Sequence, residues 1–223
     1  MKVWINGKVV GKGEATISVL DHGLLYGDGL FEGIRIYNGR PFRLEDHLER
    51  LWRGARAIRL ELPWDRDLLR EAVLGTVRES GRESGYIRLL ATRGPGALGV
   101  STRGCTPSVI IIGDGISLYP EESYRQGIAL VTSSMRRIPA ECWDVRIKSL
   151  NYLNNVLAKL EAQDAGCEEA VLLNSNGRVA ECAVDNIFIV KDGGVVTPPV
   201  SEGALAGITR AVVLELAQVE GIP

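Results

Sequence analysis

Three separate segments carry side chains whose chemistry fits one task. Lys148 lies in the run Arg146-Ile-Lys-Ser-Leu-Asn-Tyr152, Glu181 begins the run Glu181-Cys-Ala-Val-Asp-Asn186, and Gly207-Ile208-Thr209 precedes a helical pattern. An amine can form an imine with an aldehyde, a carboxylate can pair with a protonated ring nitrogen, and the start of a helix can accept a phosphate group. Together these three groups suit the binding of pyridoxal 5'-phosphate.

The order and spacing of these segments resemble those of the class IV (fold-type IV) pyridoxal-phosphate aminotransferases. The resemblance runs from about Val3 to Pro223, and the stretch from Glu181 to Arg210 fits the family signature at every constrained position. That family contains branched-chain amino-acid aminotransferases, D-amino-acid aminotransferases and aminodeoxychorismate lyases. The resemblance implies an α/β (α+β) protein with the two-lobed fold of the family and with the cofactor in the cleft between the lobes.

The resemblance also assigns roles to the residues that would hold the cofactor. Lys148 becomes the catalytic lysine that bonds to the cofactor, and it must be unprotonated to attack a carbonyl carbon. Glu181, with the matching Asn186, is expected to face the pyridine nitrogen. The phosphate is expected to lie at the helix start and against the arginine of an H-x-x-R-L helix, and a tyrosine hydroxyl is expected to meet the ring oxygen; these residues are Gly207, Ile208, Thr209, Arg50 and Tyr152.

Each of these residues has an ordinary alternative when it is considered alone. Lys148 could be a solvated lysine at a strand-to-helix junction, and Glu181 an exposed glutamate at the end of a strand. Arg50 could be a surface arginine, Tyr152 an aromatic residue on a helix face, and Gly-x-Thr a simple helix cap. The match of the whole pattern, and no single residue, favours the cofactor site.

A second group of residues bears on the substrate. The segment from Asp21 to Arg35 resembles the branched-chain enzymes, in which aromatic residues shape an apolar pocket and a glycine leaves room; the residues concerned are Tyr26, Phe31, Gly33 and Arg35. Arg88 matches an arginine that helps to hold the distal carboxylate of glutamate and 2-oxoglutarate. The arginine and histidine that D-specific enzymes carry two residues apart do not follow Thr92-Arg93-Gly94.

These features predict transamination between branched-chain L-amino acids (leucine, isoleucine and valine) and 2-oxoglutarate. Two other reactions on the same scaffold stay open, namely D-amino-acid transamination and the pyruvate-eliminating lyase reaction. A third alternative is an inactive fragment, because the chain stops soon after the last predicted helix, where relatives continue with further strands. On this interpretation the C-terminal lobe is truncated.

The composition excludes several other classes of protein. The chain has 223 residues, a net charge of −2 and 45% hydrophobic residues, which does not suit nucleic acid as a partner. No apolar run is long enough to cross a membrane, and an early turn signal excludes a signal peptide. Only two histidines are present and the four cysteines are scattered, so we expect no metal, and free buried thiols in the cytoplasm. Family members are generally homodimers or larger homo-oligomers that bind small amino acids and 2-oxo acids.

The pattern of apolar residues and turn signals predicts a small N-terminal lobe over residues 1–113, a linker over 114–126 and a large lobe over 127–223. The resemblance implies that the large lobe binds the cofactor and that it is incomplete at its C-terminus. The Asn6-Gly7 and Asn38-Gly39 turns predict two hairpins in the first lobe. The other predicted elements are helices over 44–59, 65–80, 150–165 and 208–219, strands over 86–92, 108–113, 128–134, 170–173 and 186–191, a hairpin at 174–177 and a surface loop over 94–107.

Overall fold

The computed structural model describes residues 1–115 and 119–223, and the chain forms two compact units. The first unit comprises the described part of Met1–Leu118 together with the short segment Lys148–Asn151. The second unit comprises Tyr119–Ile147 and Tyr152–Pro223. Residues 116–118, which fall within the predicted linker, lie outside the described residues.

The first unit is built on a six-stranded antiparallel sheet. Its strands are β1 (Lys2–Ile5), β2 (Lys8–Gly11), β3 (Gly29–Tyr37), β4 (Arg40–Pro41), β5 (Ser84–Thr92) and β6 (Ser108–Asp114), in the spatial order β2-β1-β6-β5-β3-β4. In the register of β3 and β5, Phe31 is opposite Leu90, Gly33 opposite Arg88, and Arg35 opposite Tyr86. Because side chains alternate along a strand, these residues share one face of the sheet.

Two long helices cover the other face of this sheet. They are α2 (Leu44–Ala57) and α3 (Arg66–Ser80), and the short helix α1 (His22–Tyr26) precedes β3. Helix α3 begins where the Asp65 carboxylate accepts a hydrogen bond from the Leu68 N–H at 2.8 Å, and it ends at Gly81, whose φ of 63° suits a glycine. The core between helices and sheet is aliphatic and fully buried, with Ile34, Ile36, Leu48, Leu51, Leu69, Ile87, Leu89 and Ile111.

The second unit contains a three-stranded sheet and a separate two-stranded hairpin. Strand β7 (Leu130–Arg136) runs parallel to β8 (Glu169–Leu173), and β8 runs antiparallel to β9 (Val179–Cys182). The hairpin pairs β10 (Ile189–Lys191) with β11 (Gly194–Val196). The helices of this unit are α4 (Glu121–Gln126), α5 (Leu153–Asp164) and α6 (Ile208–Val219). Helix α5 connects the parallel strands, and its small residues Ala158 and Ala162 allow close packing on Ala170 and Leu172.

Most predicted elements are confirmed, and the differences have local causes. The predicted helix over 150–165 begins only at Leu153, because the Leu150 N–H donates to the Gly29 carbonyl at 2.9 Å. Residues 186–188 do not join the predicted strand, which is limited to Ile189–Lys191. Helices α1 and α4 were not predicted, since each is at most six residues long.

The described part of the chain contains no helix long and apolar enough to cross a membrane. Within the same residues, no group of three histidine, cysteine or acidic side chains could hold a metal ion. All four cysteines are free thiols, but the prediction that they are buried holds only for Cys182. Cys142 is exposed, and the other two are half-buried.

Candidate functional site

Lys148 lies beside the start of β3 in the first unit. Its carbonyl accepts a hydrogen bond from the Phe31 N–H at 3.0 Å, which fixes the backbone of the lysine against that strand. The Lys148 side chain is half-buried, and its Nζ lies 4.5 Å from the centroid of the Phe31 ring. The amine is therefore held against an aromatic face at the edge of the sheet.

The face of the sheet that carries Phe31 is both aromatic and cationic. The Arg88 guanidinium carbon lies 4.6 Å from the Phe31 ring centroid and 5.5 Å from that of Tyr86. A Cβ on Gly33 would overlap the Tyr86 hydroxyl, so the space that we expected this glycine to leave open is taken by that hydroxyl. Burial raises the pKa of Tyr86 although the charge of Arg88 opposes the shift, so this hydroxyl stays protonated at neutral pH. The structure thus brings Lys148, Phe31 and Arg88 together.

Arg35 and Tyr26 lie at the margins of this face. The guanidinium carbon of Arg35 lies 5.3 Å from the ring centroid of Tyr37, two residues along β3. Tyr26 ends helix α1, and its hydroxyl accepts a hydrogen bond from the Gly99 N–H at 2.6 Å. Tyr26 therefore ties α1 to the loop over residues 94–107, which is a surface loop as predicted.

Arg50 is buried on α2, where its guanidinium binds a carboxylate of the same unit. Its Nε donates to Glu32 Oε1 at 2.8 Å and its Nη2 donates to Glu32 Oε2 at 2.6 Å. The sequence predicts that Arg50 binds the phosphate of the cofactor. In the structure Glu32 binds Nε and one N–H of Nη2, so a contact to a ligand would come from the other N–H groups of the guanidinium.

Glu181 lies in β9 of the second unit and is almost fully buried. Its Oε1 lies 2.7 Å from Arg137 Nη2. Its Oε2 accepts hydrogen bonds from the Leu205 N–H at 2.8 Å and from Asn186 Nδ2 at 3.2 Å. A carboxylate with three donors, one of them a cation, is stabilised in its ionised form. The structure thus holds an anionic oxygen pair in a fixed orientation.

Arg137 is itself held in place by two further contacts. Its Nε donates to the Gly203 carbonyl at 2.9 Å and its Nη1 donates to Asn155 Oδ1 at 3.3 Å. The Asn155 amide donates to the Ala183 carbonyl at 2.6 Å. Arg137 therefore connects the end of β7, helix α5 and the segment before α6 around the carboxylate of Glu181.

Helix α6 begins directly after Gly207. A Cβ on Gly207 would overlap Asn186 Oδ1, so the close approach of the asparagine requires a glycine here. Within the described residues no side chain caps this helix, and its first residues are Ile208 and Thr209. The N–H groups and the dipole of a helix start attract anions. Tyr152 immediately precedes helix α5 and is half-buried.

These residues fit the cofactor that the sequence implies. Pyridoxal 5'-phosphate requires an amine, an anion for its ring nitrogen and donors for its phosphate. Lys148 would offer the amine, Glu181 a carboxylate whose oxygens are oriented by its protein neighbours, and the start of α6 backbone N–H donors. The donor set of the described residues therefore matches the group.

Several residues of these networks were missed in the sequence, among them Glu32, Arg137 and Tyr86. Glu32 had a detectable signal, because it is the acidic residue in a strand whose alternate positions, Leu30, Ile34 and Ile36, are apolar. Tyr86 shares a strand face with Arg88, which strand alternation could have indicated. Arg137 has no local signal, since its partner is far away in the sequence.

Comparison with known proteins identifies the family. The family model Amino-transferase class IV matches residues 29–223. The branched-chain-amino-acid aminotransferase of Pseudomonas aeruginosa is 40% identical over 225 residues, covering 98% of this chain and 73% of that protein. The crystal structure of a branched-chain aminotransferase from Thermoproteus uzoniensis with norvaline superposes with a TM-score of 0.93 at 40% identity, covering 100% of this chain and 76% of that one.

Two more solved structures are informative about ligands and chemistry. One is a T.th. branched-chain amino acid aminotransferase complexed with N-(5'-phosphopyridoxyl)-L-glutamate, which has a TM-score of 0.91 at 39% identity, covering 99% of this chain and 74% of its own. The 4-amino-4-deoxychorismate lyase of Pseudomonas aeruginosa has a TM-score of 0.84 at 35% identity, with 99% and 79% covered. The chain is similar to both kinds of enzyme.

Proposed function

This chain belongs to the class IV aminotransferases, which are pyridoxal-phosphate enzymes, and from that premise we propose that it transfers an amino group between a branched-chain L-amino acid and 2-oxoglutarate. The observation that carries the proposal is the face formed by Phe31, Tyr86 and Arg88, on which a guanidinium lies against two aromatic rings. Such a face can pack against an apolar side chain and can also pair with a distal carboxylate.

Eight residues would hold the cofactor. They are Arg50, Lys148, Tyr152, Glu181, Asn186, Gly207, Ile208 and Thr209. When bound, pyridoxal 5'-phosphate supplies an electron-withdrawing ring that stabilises negative charge at the Cα of the amino acid. The N-terminus of α6 and the Arg50 guanidinium would bind the phosphate, and the Tyr152 hydroxyl would donate to the ring oxygen.

Lys148 would move the proton of the reaction. With its amine unprotonated, Nζ would take the proton from the substrate Cα as general base and would then give it to the cofactor carbon as general acid. The Phe31 ring beside Nζ excludes water from one side of the amine. Such exclusion favours transfer of the proton within the site over its loss to solvent.

Glu181 would hold a proton on the pyridine nitrogen. Arg137, Asn186 and the Leu205 N–H fix both carboxylate oxygens, so the anion is in place before any ligand binds. A preorganised anion stabilises a neighbouring positive charge without the cost of reorienting water. This arrangement supports the assignment of Glu181 as the partner of the ring nitrogen.

The substrate groove would be formed by Tyr26, Phe31, Gly33, Arg35 and Arg88, with Tyr86 added from the structure. The Arg88→Leu variant tests this assignment. It should lower kcat/KM for glutamate and 2-oxoglutarate by about 10- to 150-fold, the worth of one charged hydrogen bond, and should affect leucine far less.

The control for Arg88→Leu is Arg40→Leu, at an exposed position of the edge strand β4, which should leave all substrates unaffected. An equal loss for leucine and glutamate in Arg88→Leu would remove the basis for the distal-carboxylate role. A substrate panel of leucine, isoleucine, valine, glutamate and D-alanine would complete the test. D-Alanine as the best donor would contradict the branched-chain assignment.

The lyase reaction is the second candidate, and the similarity to 4-amino-4-deoxychorismate lyase supports it. Adding aminodeoxychorismate to that panel, with pyruvate release as the measurement, tests this candidate. Release of pyruvate without transfer of an amino group to 2-oxoglutarate would favour the lyase over the transaminase.

The proposal includes a homodimer or a larger homo-oligomer in the cytoplasm. Several apolar residues of the first unit are strongly exposed, among them Leu24 at 60%, Leu98 at 77% and Val100 at 82%. A second copy of the chain could cover them and bring residues near Tyr26 to its neighbour. Light scattering at several concentrations should show a dimer that Leu98→Asp weakens, and a strictly monomeric protein would contradict this part.

A further inference from the structure

Glu32 is an acidic residue on the core face of β3. Its neighbours on that face, Leu30, Ile34 and Ile36, are aliphatic and buried, and Glu32 itself has no exposed surface. Burying a carboxylate among aliphatic side chains is costly unless the charge is paired and hydrogen-bonded. An aliphatic residue at position 32 would avoid this cost, so the presence of a carboxylate there indicates a role beyond packing.

The pairing of Glu32 is nearly complete. Both of its oxygens accept hydrogen bonds from Arg50, from Nε at 2.8 Å and from Nη2 at 2.6 Å, and His47 Nδ1 lies 2.7 Å from Oε2. Burial alone would raise the pKa of Glu32, but the hydrogen bonds from Arg50 and His47 outweigh burial and hold this pKa below its ordinary value. Glu32 is therefore ionised at neutral pH.

The geometry of the pair decides what Arg50 can still do. A guanidinium has five N–H donors in a rigid planar fork, and the two parallel bonds to Glu32 fix its plane and its rotation. The remaining edge, which carries Nη1 and the second N–H of Nη2, is consequently fixed in one direction, away from the carboxylate. A long arginine side chain otherwise loses much of its rotamer freedom when it binds a ligand.

We propose that Glu32, supported by His47, is a positioning residue that holds Arg50 preformed for the phosphate group of the cofactor. This inference rests on the proposed function, because it takes the phosphate role of Arg50 from there. Glu32 does not touch the phosphate. It acts by presenting one edge of the guanidinium before the cofactor arrives.

The Glu32→Gln variant separates positioning from simple structural support. Glutamine keeps the size of the side chain but can accept only through its single amide oxygen, so the fork is no longer held at both ends. The measurement is the Kd of the cofactor-freed protein for pyridoxal 5'-phosphate and for pyridoxal, which lacks the phosphate. We expect the Kd for pyridoxal 5'-phosphate to rise about tenfold, in line with the rotamer freedom that Arg50 regains, while the Kd for pyridoxal stays the same.

Glu49→Gln is the matched control on the same helix. Glu49 is exposed and pairs with Arg66 at 2.8 Å, so neither Kd should change. Arg50→Leu should lose the phosphate preference, and adding Glu32→Gln to it should have no further effect on that preference. A folded Glu32→Gln protein that binds both probes as tightly as the parent, or that loses both equally, would overturn the positioning role.

Two further outcomes are also decisive. If Glu32→Gln does not fold, His47→Gln takes its place, since it removes only the contact to Oε2 and should weaken pyridoxal 5'-phosphate selectively by a smaller factor. An unchanged ratio of the two Kd values in that variant would overturn the inference. A parent protein that binds neither probe would overturn the proposed function and this inference with it, whereas tight parental binding without a Glu32 effect overturns the inference alone.

Discussion

Replacing Arg137 with glutamine should leave the Glu181 carboxylate buried without its cationic partner. The two side chains meet at 2.7 Å and retain only 9% and 7% of their exposure. Removing one partner of a buried ion pair costs about 3–5 kcal/mol, because the remaining charge is neither solvated nor neutralised. Each loss of 1 kcal/mol in the free energy of unfolding lowers the Tm of a protein of this size by about 2–4 °C. The variant should therefore melt about 6–20 °C below the parent protein.

Urea unfolding followed by far-UV circular dichroism would measure this loss in a double-mutant cycle. Glu181→Gln should also destabilise the protein, and Arg137→Gln with Glu181→Gln should cost clearly less than the sum of the two single changes. Arg178→Gln is the matched control, because Arg178 pairs with Glu202 at the same 2.7 Å but is 69% exposed. An exposed pair contributes about 0–1 kcal/mol, so this control should unfold almost like the parent.

The outcome can contradict the electrostatic reasoning in two ways. If the effects of Arg137→Gln and Glu181→Gln add to within about 0.5 kcal/mol, the two side chains are not coupled. If Arg137→Gln costs no more than Arg178→Gln, burial does not amplify the interaction. In either case Glu181 would not be held as an oriented anion by Arg137, and its preorganisation would need another source.

Three other predictions follow from single contacts. Gly207→Ala should lower the free energy of unfolding by about 1–3 kcal/mol and weaken cofactor binding, because the new Cβ overlaps Asn186 Oδ1; urea unfolding and a cofactor titration would check this. Burial raises the pKa of Cys182 to about 12, so at about pH 8 iodoacetamide should modify the exposed Cys142 and spare Cys182, as peptide mass spectrometry would show. The pKa of Glu32 in the folded protein lies below its ordinary value of 4.5, so ionised Glu32 contributes to stability above about pH 4.5, and this contribution is lost as the pH falls through the pKa of the folded state. The difference in unfolding free energy between the parent and Glu32→Gln should therefore shrink in acid.

The parts of the fold with strong local signals were predictable from the sequence. Helix α3 is bounded by an acidic cap at Asp65 and a glycine at Gly81, and both ends are confirmed. The turn at Asn6-Gly7 likewise produces the first hairpin, with Ile5 opposite Lys8. In these cases the residues that determine the structure are neighbours in the chain, so no knowledge of distant contacts is needed.

Other features depend on contacts between distant residues and could not be predicted. The start of α5 is delayed because the backbone at Leu150 pairs with Gly29. Arg50 was expected to bind the phosphate, and its two hydrogen bonds to Glu32, which lies 18 residues earlier, had no signal in the sequence around Arg50. Arg137 contacts Glu181, which lies 44 residues later in the chain (181 − 137). The sequence shows that these side chains are charged. Which partners they contact depends on the three-dimensional structure.

The central claim is that Lys148 is the amine that bonds to pyridoxal 5'-phosphate, and one measurement tests it directly. The parent protein is incubated with the cofactor, its visible absorbance is recorded, and borohydride reduction followed by peptide mass spectrometry locates the attached group. We predict a visible band and a cofactor adduct on the peptide that contains Lys148 in the parent and in the exposed-lysine control Lys191→Ala, and neither in Lys148→Ala. A Lys148→Ala protein that keeps the band, or an adduct on another lysine in the parent, would contradict the account.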